Sequence, residues 1–162
     1  MPKISAGILL YRKTENGLEV FLVHPGGPFF ARKDNGAWSV PKGETDGDED
    51  FLATAKHEFN EETGFAIPSG TFLPLGSVEQ KGGKIVHAWA IEGDCDPTKL
   101  VSNTFSIEWP PHSGKQQSFP EVDHGDFFPM DTARQKINPA QIPFLERLET
   151  TLASQEEHNR AG

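Results

Sequence analysis

At 162 residues, 35% hydrophobic and 24% charged, the chain has the length of one domain and enough apolar residues for a core without metal staples, which excludes a fully disordered chain. Its formal net charge of -9 argues against a broad basic face for nucleic acid, while leaving room for a small anion met by a local cation. A single cysteine, Cys95, rules out an internal disulfide, and the apolar start is too short for a membrane span and lacks a cleavage pattern, so the expected compartment is the cytoplasm.

In chain order, Ala6–Tyr11 and Leu18–Val23 read as strands joined by Glu15-Asn16-Gly17, a strong hairpin signal because Asn and Gly tolerate positive φ. A Pro/Gly loop from His24 follows, and Trp38-Ser39-Val40 is extended ahead of Pro41. Helical spacing of Phe51, Leu52, Ala55 and Phe59 predicts a helix from about Glu49 to Thr63, with Asp48 as N-cap, acidic residues in the first turn and Gly64 just past its end. Strands are expected at Phe72–Val78 and Ile85–Ile91 around the turn Lys81-Gly82-Gly83-Lys84, and again at Val101–Trp109. Residues 110–117 read as a loop and Asp126–Pro129 as a short extended piece. Ile142, Leu145, Leu148 and Leu152 mark an amphipathic helix near Pro139–Leu152, with a frayed polar tail from Ser154. Several strands with a central and a terminal helix predict an α+β sandwich.

The central helix carries carboxylates on an unexpected face. At about 100° per residue with Phe51 at zero, Ala55, Phe59 and Leu52 fall between roughly 40° and 100° and define the buried stripe. Glu58 then lies near about -20° and Glu62 near about +20°, on the edge of that stripe, with Glu61 on the flank near about -80°. Lys56 and His57 point away by the same arithmetic. Like charges at these spacings destabilise a helix by roughly 0.2–0.5 kcal/mol per pair, and partial burial costs far more. A hard divalent cation is the natural compensation, since Mg²⁺ takes oxygen ligands from carboxylates, water and phosphate. Just upstream, Pro41-Lys42-Gly43-Glu44 supplies a positive charge and a residue that permits close backbone approach. A plain structural turn with a solvated acidic helix remains the alternative to a phosphate–metal site on spacing alone.

Read as one string, Gly43 to Phe65, GETDGDEDFLATAKHEFNEETGF, resembles the Nudix box. Gly43, Glu49, Glu58, Phe59, Glu61, Glu62, Gly64 and Phe65 fall in register, and His57 stands where the box has Arg. The resemblance implies an α/β/α sandwich with a mixed central sheet, one domain over residues 1–153 and a polar, disordered tail over 154–162. It implies hydrolysis of a nucleoside diphosphate linked to another moiety, with Mg²⁺ or Mn²⁺. Carried over residue by residue, Glu58, Glu61 and Glu62 match positions that hold metal or activate water. Gly43 matches one whose carbonyl can touch the metal, and Glu49 one that is more often structural. A later loop often adds a carboxylate; Glu121 is the candidate, with Asp123 second. The expected catalytic residues are Glu58, Glu61 and Glu121, the metal ligands Glu58, Glu61 and Glu62, and the substrate-binding residues Lys42, Gly43 and Trp38. Arg32, Lys33, Lys81 and Lys84 are further phosphate contacts, and Phe29, Phe30, Trp89 and Phe119 further stacking surfaces, each weighed against ordinary solvation or packing. Trp38-Ser39-Val40-Pro41-Lys42-Gly43 is similar to the box entry of Nudix enzymes that cut dinucleoside polyphosphates, which tilts the expected substrate toward a nucleoside or dinucleoside polyphosphate. The segment 101–126 is expected to help form the pocket. The expected partner is a small-molecule nucleotide, with no nucleic acid and no membrane; monomer and homodimer both stay open. Two other classes compete: a non-catalytic Nudix-like ligand-sensing or interaction module, which usually loses box glutamates, and an isomerase on the same fold, which wants an active-site cysteine that Cys95 is poorly placed to supply.

Overall fold

The structure, a computed structural model, describes residues 3–45 and 50–161. Strands β1 (Ile4–Thr14) and β2 (Gly17–Pro25) form the expected hairpin, with Thr14 opposite Gly17 and Gly17 at φ 115°. They pair only from Tyr11 to Thr14. Nearer its start β1 pairs with β3 (Lys42–Glu44), Ser5 to Gly7 against Glu44 to Lys42. No strand is expected at 41–44 from the sequence, where a plain turn is the alternative to a ligand site, because three paired residues are too short a run to leave an alternating pattern. β1 and β2 therefore diverge, and the segment 38–44 fills the wedge between them, tied by Ile8 N–H to Pro41 O at 3.1 Å and Val23 N–H to Ser39 O at 2.9 Å.

β4 (Leu73–Gln80) and β5 (Lys84–Glu92) form a second hairpin over Gly82 and Gly83, both at positive φ, and β5 runs parallel to β1. On the far edge β8 (Val122–Pro129) pairs antiparallel with β2. The order β4-β5-β1-β2-β8, with β3 beside β1, is the mixed sheet that the Nudix resemblance implies. Both its faces are covered, so β1 is apolar almost throughout. Ala6, Ile8 and Leu10 face one core layer with Ala55 and Phe59, and Leu9 and Tyr11 face the other with Phe144, Leu145 and Leu148.

Helix α1 (Phe51–Thr63) covers the first face. Its cap is Asp50, whose carboxylate accepts from Leu52 N–H at 3.0 Å; Asp48, the expected cap, and Glu49, the expected first residue, lie outside the described residues. The first turn holds no acidic residue, contrary to expectation, because the helix starts after the acidic run. Gly64 ends it in the left-handed region at φ 78°, its N–H bonded to Asn60 O. Asp50→Ala is expected to cost about 1 kcal/mol, the usual loss for an N-cap side chain, read as a lower urea midpoint at unchanged slope.

α2 (Met130–Lys136) and α3 (Ile142–Ala161) cover the other face. α2, two turns long, is not among the elements expected from the sequence, and α3 runs past its expected end near Leu152 to Ala161, through the segment expected to fray. Outside the main sheet, β6 (Thr104–Glu108) pairs with β7 (Gln116–Pro120), Thr104 opposite Pro120 and Glu108 opposite Gln116. Residues 116–117, expected in a loop, belong to this ribbon. No described helix is long and apolar enough to cross a membrane.

Candidate active site

Three elements converge where β1 and β2 part: the last two turns of α1, the short β3 strand, and the root of the β6–β7 ribbon. Glu62 is buried, 8% exposed, in spite of its charge. Its carboxyl is pushed up to about 9, first by burial, then by a hydrogen bond with Glu121 and by the negative charges of Glu121 and Glu58, with Lys42 pulling the other way. A hydrogen bond between two carboxyls needs a proton on one of them, and the raised Glu62 is the one that keeps it.

Glu58 sits one turn earlier against Gly43: a Cβ built at Gly43 would collide with its Cδ and Oε2. Only glycine leaves room for the carboxylate there. Lys42, the preceding residue of β3, is largely buried; burial holds its ammonium below the usual range, the nearby Lys84 adds to this, and Glu62 and Glu44 oppose it. Lys42, Glu62 and Glu121 line a cleft of about 170 Å³ closed by Val23, Val40 and Val122. Larger depressions, of about 560 and 630 Å³, run along α3 near Thr150 and Thr151. Of the described residues, Glu146 is the one carboxylate lining them, so they lack a convergent acid set.

Glu121 is held by its backbone on both sides. Its N–H donates to Asn103 O at 2.8 Å and its carbonyl accepts from Gly26 N–H at 2.9 Å. Asp123, the second candidate, is taken up elsewhere, 2.8 Å from His24 Nδ1. Glu61 has partners of its own. Its carboxylate accepts from the Asn103 side-chain amide and lies 3.6 Å from His57 Nε2. His57 thus does reach a box glutamate, contrary to the angular estimate, which placed it away from the cluster. The i,i+4 spacing from His57 to Glu61 brings side chains together that differ by only about 40° in azimuth. Because the His57 side chain is 67% exposed and exposed pairs contribute about 0–1 kcal/mol, His57→Arg is expected to leave kcat/KM within about fivefold, checked by steady-state kinetics of the two proteins side by side.

Trp38, expected at the substrate, lies in the core instead. It is 7% exposed, with His24, His124 and Phe128 against its ring at 5.4, 6.0 and 4.9 Å and its indole N–H donated to Asp34. Phe119 pairs with Phe105 across the ribbon, Trp89 packs half-buried against the core layer under α1, and Phe29 and Phe30 are exposed. Cys95 packs on the α1 side, and burial with Asp94 pushes its thiol up to about 11, unlike a reactive cysteine.

Asn103 is a site residue that no sequence motif marks. Its N–H donates to Glu61 O at 3.0 Å, its amide to the Glu61 carboxylate, and its carbonyl accepts from Glu121. One asparagine so joins α1 to the ribbon root. No local signal marks it, because all three bonds are made across long sequence separations.

Oxygen-only donors of this charge suit a hard divalent cation rather than a softer one. The buried Glu62 carboxyl, in contact with the exposed Glu121, is the observation that fits it, being one of two acids brought together that a cation would bridge. Among the described residues no three His, Cys, Asp or Glu side chains are drawn together into a ligand shell as they stand.

The NUDIX domain family model matches residues 1–148. No curated protein matches. Among solved structures, a C. elegans Ap4A hydrolase in a binary complex is 20% identical over 93% of this chain and 98% of its own, with a TM-score of 0.65. The NUDIX domain of Shewanella oneidensis NrtR, complexed with ADP ribose, is 16% identical over 94% and 89%, at 0.64. A MutT protein from Methanosarcina mazei is 20% identical over 93% and 95%, at 0.59. At these identities the structures speak for the fold, and the family match covers the acidic helix, β3 and the ribbon root together. The chain belongs to the NUDIX family.

Proposed function

We propose that this protein hydrolyses a pyrophosphate bond in a nucleoside diphosphate derivative, with a nucleoside or dinucleoside polyphosphate as substrate and Mg²⁺ or Mn²⁺ as cofactor, in the cytoplasm. The observation that carries the reading is the buried Glu62 carboxyl held against Glu121, with Glu58 and Lys42 beside it. Glu58 and Glu62 are the principal ligands. Glu61, at the flank and engaged by Asn103, is the weakest member of the expected set on this geometry. When bound, the cation neutralises phosphate charge and lowers the pKa of water.

The chain's own residues supply the rest. Lys42 brings a cation to the mouth of an otherwise acidic cleft and meets a phosphate oxygen there. Gly43 leaves the backbone open for close approach. Glu121, at the cleft's exposed rim, accepts the proton of the attacking water, and Asn103 and Gly26 hold it in place by its backbone. The apolar wall of Val23, Val40 and Val122 keeps bulk water from the cleft.

A panel of nucleoside di- and polyphosphate derivatives, incubated with Mg²⁺, Mn²⁺ or a chelator and analysed by product identification, tests this. Cleavage that needs the metal and places the break within the phosphate chain is expected. Binding of a nucleotide without cleavage under either metal would replace the hydrolase with a ligand sensor.

A further inference from the structure

The β6–β7 ribbon has two unlike faces. Phe105, Ile107 and Phe119 form a half-buried row, while Thr104, Ser106, Glu108 and Ser118 are exposed. Trp109 continues the half-buried row at the tip, its N–H donated to Lys115 O at 2.9 Å. The loop after β2 lies along this row. Gly27 abuts the Phe105 ring near the root, and Phe29 meets Trp109 edge-on at the tip, with centroids 5.5 Å apart and planes at 78°. Packing covers the root of the row and leaves the tip open: Phe29 is 63% exposed. A lone exposed aromatic needs no explanation. Here an exposed ring, Phe29, is fixed against a half-buried one, Trp109, at the end of an arm whose root carries Glu121, so both rings border one open place.

The charge around that tip is unlike the rest of the chain. Arg32, Lys33 and Lys115 stand near it in sequence or across the ribbon, and among the described residues none of the three forms an ion pair, although the net charge is -9. The Lys33 ammonium lies 5.3 Å from the Phe30 ring centroid. Exposed aromatics interleaved with cations are what a base joined to phosphates requires. From Glu121 to Lys115 the ribbon runs roughly 20 Å at about 3.4 Å per residue. By the other route Phe29 lies three residues, at most about 11 Å of chain, beyond Gly26, which bonds Glu121; a seat between these two reaches suits a second base at the far end of a phosphate chain longer than a diphosphate.

Resting on the hydrolase reading above, we propose that Phe29 and Trp109 form a stacking seat for the distal base of a dinucleoside polyphosphate, with Arg32, Lys33 and Lys115 meeting the phosphates on the way. Steady-state kinetics with diadenosine tetraphosphate and with adenosine tetraphosphate compare a chain with two bases and one with a single base. In Phe29→Ala and Trp109→Ala the ratio of the two KM values should rise by about tenfold or more in favour of the single-base compound, and Trp109→Phe, which keeps a ring, should restore most of it. Tryptophan fluorescence of the metal-free protein titrated with diadenosine tetraphosphate gives a readout that needs no turnover, the Trp109→Phe variant isolating the signal of residue 109. Quenching at Trp109 that Phe29→Ala weakens supports the seat even if nothing is cleaved, an outcome that would sink the hydrolase reading instead. Cleavage of both compounds with a KM ratio the same in all variants, and no quenching at Trp109, overturns the seat and leaves the hydrolase reading standing.

Discussion

Glu62→Gln is expected to lower kcat by on the order of 10²–10⁴, the range for losing a group that takes part in the chemical step, while the protein folds as before. The substitution is isosteric and removes a carboxyl that is buried beside Glu121 and within the field of Glu58. Below its raised pKa Glu62 is the neutral partner of Glu121, and the Gln amide can donate in its place, so stability should hold even as activity collapses. The pH dependence separates the two effects. Glu62 titrates near 9 in the folded protein against an ordinary 4.5, so the folded form binds a proton that the unfolded chain gives up first. The stabilisation is complete below about 4.5 and is lost as pH climbs through about 9. Melting temperatures of the metal-free protein should therefore fall across that window more steeply for the parent than for Glu62→Gln. Added Mg²⁺ or Mn²⁺ should raise them at the alkaline end in the parent only. A variant with parental turnover, or melting curves that run parallel, would remove Glu62 from the site.

Gly43→Ala should cost activity without costing the fold. The added methyl group meets the carboxylate end of Glu58, which is the far end of a flexible side chain. The helix need not move, but the carboxylate must, and a displacement of about 1 Å at a catalytic group can cost on the order of 10²-fold. A loss of kcat/KM of that size with a melting temperature close to the parent is the expected pair of results. Gly26→Ala makes the contrast: its Cβ would run into the Pro120 carbonyl, which is backbone and cannot rotate away. There stability and activity should fall together, because the ribbon root shifts and Glu121 shifts with it.

Helix phase made Glu62 legible before any coordinates, since one residue fixes the azimuth of every other at about 100° per step and a buried stripe with two acids on its edge stands out. The Asn16-Gly17 hairpin was readable for the same local reason. The cap was not, because Asp46, Asp48 and Asp50 are all suitable and only the packing of Phe51 chooses among them. Gln116-Gln117-Ser118 shows no apolar alternation, so a strand there is visible only once β6 lies beside it. Trp38 illustrates a different limit: an indole ahead of the box satisfies a stacking site and a core equally well in sequence, and the surrounding His24, His124 and Phe128 decide for the core. Asn103 and the Phe29–Trp109 contact join segments far apart in the chain, beyond the reach of any periodicity.

The anchoring of Asn103 to both Glu61 and Glu121 brings the two ends of the ribbon excursion to one fixed base. What lies beyond that base is then free to vary in length and composition without disturbing the acids below it. Chemistry and selectivity are mechanically separable in such a design: a lineage could exchange the outer arm to meet a new leaving group while the bond-breaking machinery stayed as it was.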